Sequence, residues 1–290
     1  MIIVTLKGGL GNQLFQYAAG RALAIQRGEE LLLDLSFLSK DPHGAYTRRQ
    51  FELDQIKFKA RVASDEELRR FGKTTVVSRV LNKFKLTSHY VFNENGYAYI
   101  PGFNRLPNNV LLNGYWQSEK YFKSVRGTLL KEIAPNFEFT DAGRSIKNQI
   151  DSVNSVSIHV RRGDFITLKN AHEFHGGCDM TYYSKAIEKI NSLTNDPVFF
   201  IFSDDISWCK SRFSFIHNAH FIENEPAKKS AQDLFLMSYC KHNIIANSSY
   251  SWWAAWLNSN PNHKVLMPSS WYKEIKSDTI DIVSENWIVV

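Results

Sequence analysis

Ser155-Val156-Ser157-Ile158-His159-Val160-Arg161-Arg162-Gly163-Asp164 is a short run with apolar residues at every second position that ends in two arginines, a glycine and a carboxylate. Alternation of period two with β-branched residues reads as a buried strand. The charged cluster then falls at the strand's carboxyl end, where open α/β sheets bind their ligands. Two adjacent guanidiniums with nothing in the strand to neutralise them suit a phosphate ester, because a planar five-donor fork matches phosphate oxygens better than an ammonium does. The plainer alternative is a surface Arg-Arg pair making ordinary ion pairs.

The chain around this run favours the ligand. From residue 155 onward, strand-like runs (155–160, 197–203, 219–223, 243–246, 263–267) alternate with helix-like runs (181–193, 206–213, 230–241, 250–258). That alternation predicts a parallel sheet with crossover helices, a Rossmann-like half. At the other end of the chain, Ile2 to Leu6 reads as a strand, Lys7-Gly8-Gly9-Leu10-Gly11-Asn12-Gln13 as a glycine-rich loop, Leu14 to Arg27 as an amphipathic helix and Leu31 to Leu35 as a second strand. A glycine loop between strand and helix lets the backbone approach a ligand and aims the helix start at it, although a tight turn alone would also account for it. Residues 40 to 110 are polar and aromatic and are expected to be irregular or short-helical. With a hinge near Phe139 to Asp151, the expectation is an α/β chain of two Rossmann-like domains, 1–150 and 151–290, facing an interdomain cleft.

Composition narrows the functional classes. A length of 290 residues with 43% hydrophobic and 13% aromatic content fills two cores. The formal charge of +6 comes from dispersed Lys and Arg with no aromatic-interleaved basic stripe, which argues against nucleic acid and leaves an anionic small molecule or an acidic membrane surface. No secretory leader and no membrane-spanning run is visible, so a cytoplasmic protein is expected. Cys178, Cys209 and Cys240 are odd in number and lack metal-ligand spacing, which suits free thiols.

Every strand end of the second half carries usable chemistry. After the first strand come His159, Arg161, Arg162 and Asp164; after Val198–Phe202 come Ser203, Asp204 and Asp205; after Asn243–Ala246 come Asn247, Ser248, Ser249, Tyr250 and Ser251. The last group supplies hydroxyl and backbone donors at a helix start, a geometry that holds phosphates without metal; simple capping would need only one of them. Asp204-Asp205 invites a Mg²⁺ reading, but the two arginines already offer charge to a diphosphate, so no metal is expected. Asp233 reads either as a carboxylate accepting from a guanine edge or as a first-turn acid favoured by the helix dipole. Trp252, Trp253 and Trp256 read as packing residues of a buried helix. His172, Glu173 and His175 lie in a polar loop and are either acceptor contacts or solvated loop.

With these residues assembled, the chain resembles the bacterial and animal α-1,2-fucosyltransferases, glycosyltransferase family 11. The resemblance rests on Gly8-Gly9-Leu10-Gly11-Asn12-Gln13-Leu14-Phe15-Gln16-Tyr17-Ala18, on His159-Val160-Arg161-Arg162-Gly163-Asp164, on Phe202-Ser203-Asp204-Asp205 and on the block from Asp233 through Asn247-Ser248-Ser249-Tyr250-Ser251-Trp252-Trp253 to Leu257. It implies a GT-B architecture with an acceptor-facing first domain and a second domain that binds GDP-β-L-fucose. It also implies metal-independent, inverting transfer to a galactose-terminated oligosaccharide or lipid-linked glycan, with room for peripheral contact at the inner membrane surface. Arg161 would meet the charge growing on the β-phosphate, assisted by Ser248, Ser249 and Tyr250. Arg162 would bind phosphate or orient its neighbour, His159 and Asp233 would hold the nucleoside, and Asp205 would support the site, Asp204 less so. Asn12 would contact donor sugar or acceptor, since an amide takes no proton. The base would be Asp164, with Glu173 and His175 as competitors. A fucosyltransferase of α-1,6 or α-1,3 linkage and a non-catalytic basic nucleotide-binding protein are the rival readings.

Overall fold

The computed structural model describes residues 1–39, 49–71, 89–162, 178–223, 229–272 and 281–290. The chain forms two compact units, Met1–Ala134 with Ile280–Ile282 and Pro135–Thr279 with Val283–Val290.

Among the described residues, the first unit carries a parallel five-stranded sheet. Its strands are β1 (Ile2–Thr5), β2 (Leu31–Asp34), β4 (Arg61–Val62), β5 (Tyr90–Asn93) and β6 (Val110–Asn113), in the order β4-β2-β1-β6-β5. A further two-residue strand, β3 (Ile56–Lys57), precedes β4. The central strands β1 and β2 are wholly buried, as continuous Ile, Val and Leu runs in parallel sheets are. Helix α1 (Leu10–Arg27) packs on them so closely that a Cβ on Gly20 would lie 2.8 Å from a Leu31 methyl. It stops at Gly28, whose φ of 64° is the left-handed cap that glycine accepts at no steric cost. Near its middle, Arg21 grips Glu132 of α3 (Arg126–Glu132) with Nε at 2.9 Å and Nη2 at 2.6 Å, while the Tyr17 hydroxyl donates to the same carboxylate at 3.0 Å.

Two expectations change here. The stretch 40–110, expected to be mostly irregular or short-helical, does supply the short capped helix α2 (Asp65–Arg69), but it also contributes the strands β4 and β5. These are short strands at the two edges of the sheet, β4 fully exposed and β5 half-buried, so neither carries the apolar run that announces a strand. Helix α1 also starts at Leu10 rather than Leu14, which puts Asn12 in its first turn instead of in a loop.

The second unit holds β8 (Ser155–Val160), β9 (Val198–Ser203), β10 (Ala219–Phe221), β11 (His242–Ile244), β12 (Val265–Met267) and β13 (Ile288–Val289). All run parallel in the order β10-β9-β8-β11-β12-β13, the doubly wound order that reverses between β8 and β11. A last two-residue strand, β7 (Ala134–Pro135), lies at the boundary between the units. The helices are α4 (Asp141–Ser152), α5 (Met180–Leu193), α6 (Ile206–Arg212), α7 (Ser230–Tyr239) and α8 (Ser249–Leu257). The division falls at 134/135 rather than 150/151 because α4 is bound to α7. Gln232 accepts from the Thr140 N–H at 2.9 Å and its amide donates to the Thr140 hydroxyl at 3.2 Å, and a Cβ on Gly143 would meet Gln232 at 2.8 Å.

The core of this unit contains a closed polar network. Asn243 donates to Ser157 Oγ at 2.7 Å and to the Met237 carbonyl at 2.8 Å, and accepts from Asn258 Nδ2 at 2.8 Å. Satisfied on every side, it ties β8, β11 and the ends of α7 and α8 together at little cost in stability. No helix among the described residues is long and apolar enough to cross a membrane.

Candidate active site

The order reversal between β8 and β11 opens a crevice at the strands' carboxyl ends, and the site residues of the second unit gather there. Register decides who meets whom. Val160 of β8 pairs with Ser203 of β9, so Arg161 and Arg162 emerge level with Asp204 and Asp205. Arg161 Nη1 lies 2.8 Å from Asp204 Oδ2, and Asp204 Oδ1 accepts the Arg162 N–H at 2.9 Å. Arg162 Nε pairs with Asp205 Oδ2 at 3.1 Å, and its guanidinium lies 4.0 Å from the Trp208 ring centre. Asp205 is also the N-cap of α6, accepting the Trp208 N–H at 3.1 Å.

The guanidiniums are therefore oriented by carboxylates from the neighbouring strand, which inspection of β8 by itself does not reveal. Arg162 is sandwiched between an acid and an indole, the placement of a residue that fixes geometry, whereas Arg161 pairs with Asp204 through Nη1. Trp208 was not singled out in the sequence. The signal available was an aromatic three residues beyond a strand-end carboxylate, one turn into the helix that the carboxylate caps.

Across the reversal, Ala246 leads through Asn247 to α8. Ser248 is its N-cap, with extended backbone and a hydroxyl that accepts the Tyr250 N–H at 3.4 Å; Ser249 is the first helical residue. The helix start thus presents its N–H groups at the carboxyl edge beside β8, a site suited to an anion. Tyr250 turns toward β8, its ring 5.6 Å from that of His159, and its hydroxyl donates to the carbonyl of Ser230, the first residue of α7. Asp233 stands in the first turn of α7 with Oδ1 shielded from solvent. His159, Tyr250 and the start of α7 are in this way brought into one cluster from positions far apart in the chain. Trp252, Trp253 and Trp256 are wholly buried behind them, as packing residues should be.

His159 is buried, and its Nδ1 has no hydrogen-bond partner among the described residues. Burial first, and the Arg161 charge second, push its imidazole down to about 4 from the ordinary 6.5, with Asp204 opposing. The ring is neutral at physiological pH. Between these two values the unfolded chain binds a proton that the folded chain refuses, so stability falls as pH drops through that window. The urea midpoint of the wild type should decline between pH 6.5 and 4 more steeply than that of His159→Asn; parallel curves would show that the ring is not held neutral.

Asn12 belongs to the first unit. Gly8 is at φ 72°, and a Cβ there would lie 2.5 Å from Asn12 Nδ2, so only glycine fits. Glu52 caps α1 from a distance, accepting the Leu10 N–H at 2.8 Å, and Gln117 donates to Asn12 Oδ1 at 2.8 Å. Neither Glu52 nor Gln117 is adjacent to the glycine motif in sequence. Asp164, Glu173 and His175 lie outside the described residues.

The model of the family Glycosyl transferase family 11 matches residues 1–290. An alpha-1,2-colitosyltransferase of Escherichia coli is 34% identical over 294 residues, covering 99% of this chain and 98% of that protein. The O-antigen biosynthesis glycosyltransferase WbnK of Escherichia coli is 33% identical over 303 residues, covering 98% of each. Among solved structures, Arabidopsis thaliana FUT1 in complex with GDP aligns with a TM-score of 0.51 at 12% identity, over 92% of this chain and 69% of that one, a likeness of fold, here the two-domain α/β fold of GT-B type. With its family model matched from end to end and two full-length relatives above 30% identity, this glycosyltransferase belongs to glycosyl transferase family 11, the family of the α-1,2-fucosyltransferases.

Proposed function

We propose that the chain transfers L-fucose from GDP-β-L-fucose to the 2-hydroxyl of a terminal galactose, with inversion and without a metal ion. The observation that carries this reading is that Arg161 follows β8 while the α8 N-terminus follows its sheet neighbour β11, both at carboxyl ends. As the bond from sugar to phosphate breaks, negative charge grows on the β-phosphate. A guanidinium fork and a helix start at neighbouring strand ends stabilise that charge as a cation would. Asp204 and Asp205 are engaged with Arg161 and Arg162, which supports a site where arginine rather than metal meets the diphosphate.

His159, Asp233 and Tyr250 hold the nucleoside in this reading, and Asn12 contacts a sugar from the first unit. Asp164 takes the proton of the attacking hydroxyl, with Glu173 and His175 as alternatives. The galactoside acceptor is supported by a mouse relative, the galactoside 2-alpha-L-fucosyltransferase Sec1, 24% identical over 297 residues. A lipid-linked glycan at the cytoplasmic membrane face suits the O-antigen role of WbnK.

A second donor is favoured by one observation, the 34% identity to a colitosyltransferase. Colitose is the 3-deoxy counterpart of L-fucose, so the same diphosphate cradle serves both sugars. GDP release measured with GDP-fucose and GDP-colitose over a panel of β-galactosides separates them. Turnover should persist undiminished in excess EDTA. Loss on chelation, restored by Mg²⁺ or Mn²⁺, would return Asp204 and Asp205 to the role of metal ligands.

A further inference from the structure

We propose that the carboxyl edge of the first unit's sheet is a pyranose subsite for the acceptor, where Phe37 and Tyr115 stack on a sugar ring and Lys7, Asn12 and Gln117 hold its hydroxyls; this rests on the galactoside reading above. Four neighbouring strand ends converge there. Asp34 closes β2, Lys7 follows β1, Gly114 to Gln117 follow β6 and Glu94 follows β5, and the strand order reverses between β1 and β6. That is where such sheets place ligands.

Both aromatics present ring surface to solvent. Phe37 and Tyr115 are 44% and 41% exposed, and Lys7 Nζ lies 5.7 and 5.6 Å from their ring centres. Their solvent-facing apolar surface flanks a single polar head, a combination that matches the C–H face and the hydroxyl rim of a pyranose.

Backbone strain fixes the arrangement. Trp116 is a bulky residue at φ 57°, a conformation that persists only where the surroundings impose it and that clusters at ligand clamps. Here Glu94 imposes it, accepting the N–H groups of Tyr115 and Trp116 at 2.5 and 2.9 Å. The Trp116 ring is fully buried, stacked 5.7 Å from Phe92 and edge-on to Tyr121. A Cβ on Gly114 would come within 2.4 Å of Glu94 Cβ, so the corner also requires that glycine. The strained corner sends Trp116 inward and leaves Tyr115 outward.

Charge selects the ligand class. Burial lowers the pKa of the Lys7 ammonium, with the Glu94 and Asp34 charges opposing, so one partly desolvated cation stands beside two carboxylates and the spot is poorly suited to a second phosphate. The Asn12 and Gln117 amides, joined at 2.8 Å, offer donors and acceptors together, as sugar hydroxyls do.

Methyl β-D-galactoside binding by saturation-transfer NMR, with GDP titrated separately, tests this on the whole chain. Tyr115→Ala and Phe37→Ala should each weaken galactoside binding and raise the acceptor KM, on the order of tenfold, with GDP affinity kept, while Tyr115→Phe stays near wild type. Galactoside affinity unchanged in both alanine variants would overturn the subsite. Should the wild type bind GDP but no galactoside, the galactoside reading fails separately. The same variants are then assayed with methyl glucoside, mannoside and N-acetylglucosaminide: a ring-dependent loss with the sugar that binds supports the subsite, and binding of none overturns it.

Discussion

On the proposed mechanism, Arg161→Lys should lower kcat by about two to three orders of magnitude, ~2.7–4 kcal/mol, while the KM for GDP-fucose changes much less. The geometry explains why the conservative change is not conservative. In the wild type Asp204 holds one nitrogen of the fork at 2.8 Å, so the guanidinium is oriented before substrate arrives. An ammonium is a single point: drawn to Asp204, it cannot also reach the β-phosphate in a fixed direction. Because leaving-group charge is largest in the transition state, the missing contact shows in kcat. Steady-state kinetics at saturating acceptor, paired with calorimetric titration of GDP, read the two parts separately. Turnover within a few fold of wild type would remove Arg161 from the mechanism.

Trp253→Ala should destabilise the protein by about 3–5 kcal/mol and, if α8 cradles the phosphate, abolish GDP binding in the molecules that remain folded. The Trp253 ring is wholly buried, edge-on to Trp252 at 5.3 Å and to Trp256 at 5.0 Å, within the helix whose first turn is the proposed phosphate cradle. Removing it leaves a cavity beneath α8, and the N–H groups at Ser248–Tyr250 lose their fixed aim. Urea denaturation followed by Trp fluorescence gives the stability loss, and GDP titration below the transition gives the second effect. A loss under 1 kcal/mol with GDP binding kept would show that Trp253 does not support the start of α8.

Most of the second unit was legible from its sequence because its central strands β8, β9, β11 and β12 are buried and α5 to α8 are amphipathic or capped, whereas the half-exposed edge strand β13 and helix α4, which lies where a hinge was expected, were not. Ser155–Val160 and Val198–Ser203 match the apolar runs that announced them, and α5 to α8 fall within two residues of the expected spans. The first unit was legible only at β1, α1 and β2, where the same rule holds. β4 and β5 were missed because an exposed or half-buried edge strand has little reason to be apolar. The early start of α1 was missed because its N-terminus is capped by Glu52, a residue 42 positions away from the N–H that it accepts.

The two arginines, the strand-end carboxylates and the hydroxyl-rich helix start are local patterns, and the chain alone determined that each stands at the carboxyl end of a buried strand. Local periodicity encodes which side chains face a core and where a strand stops. It does not encode which strands become neighbours or in what register. Only the parallel pairing of Val160 with Ser203 brought Asp204 to Arg161 and Asp205 to Arg162, turning two apparently unneutralised cations into oriented ones. Likewise Lys7, Asp34, Glu94 and Tyr115 share one sheet edge through the order β2-β1-β6-β5, a choice made by the burial of the whole sheet and by no residue near them in sequence.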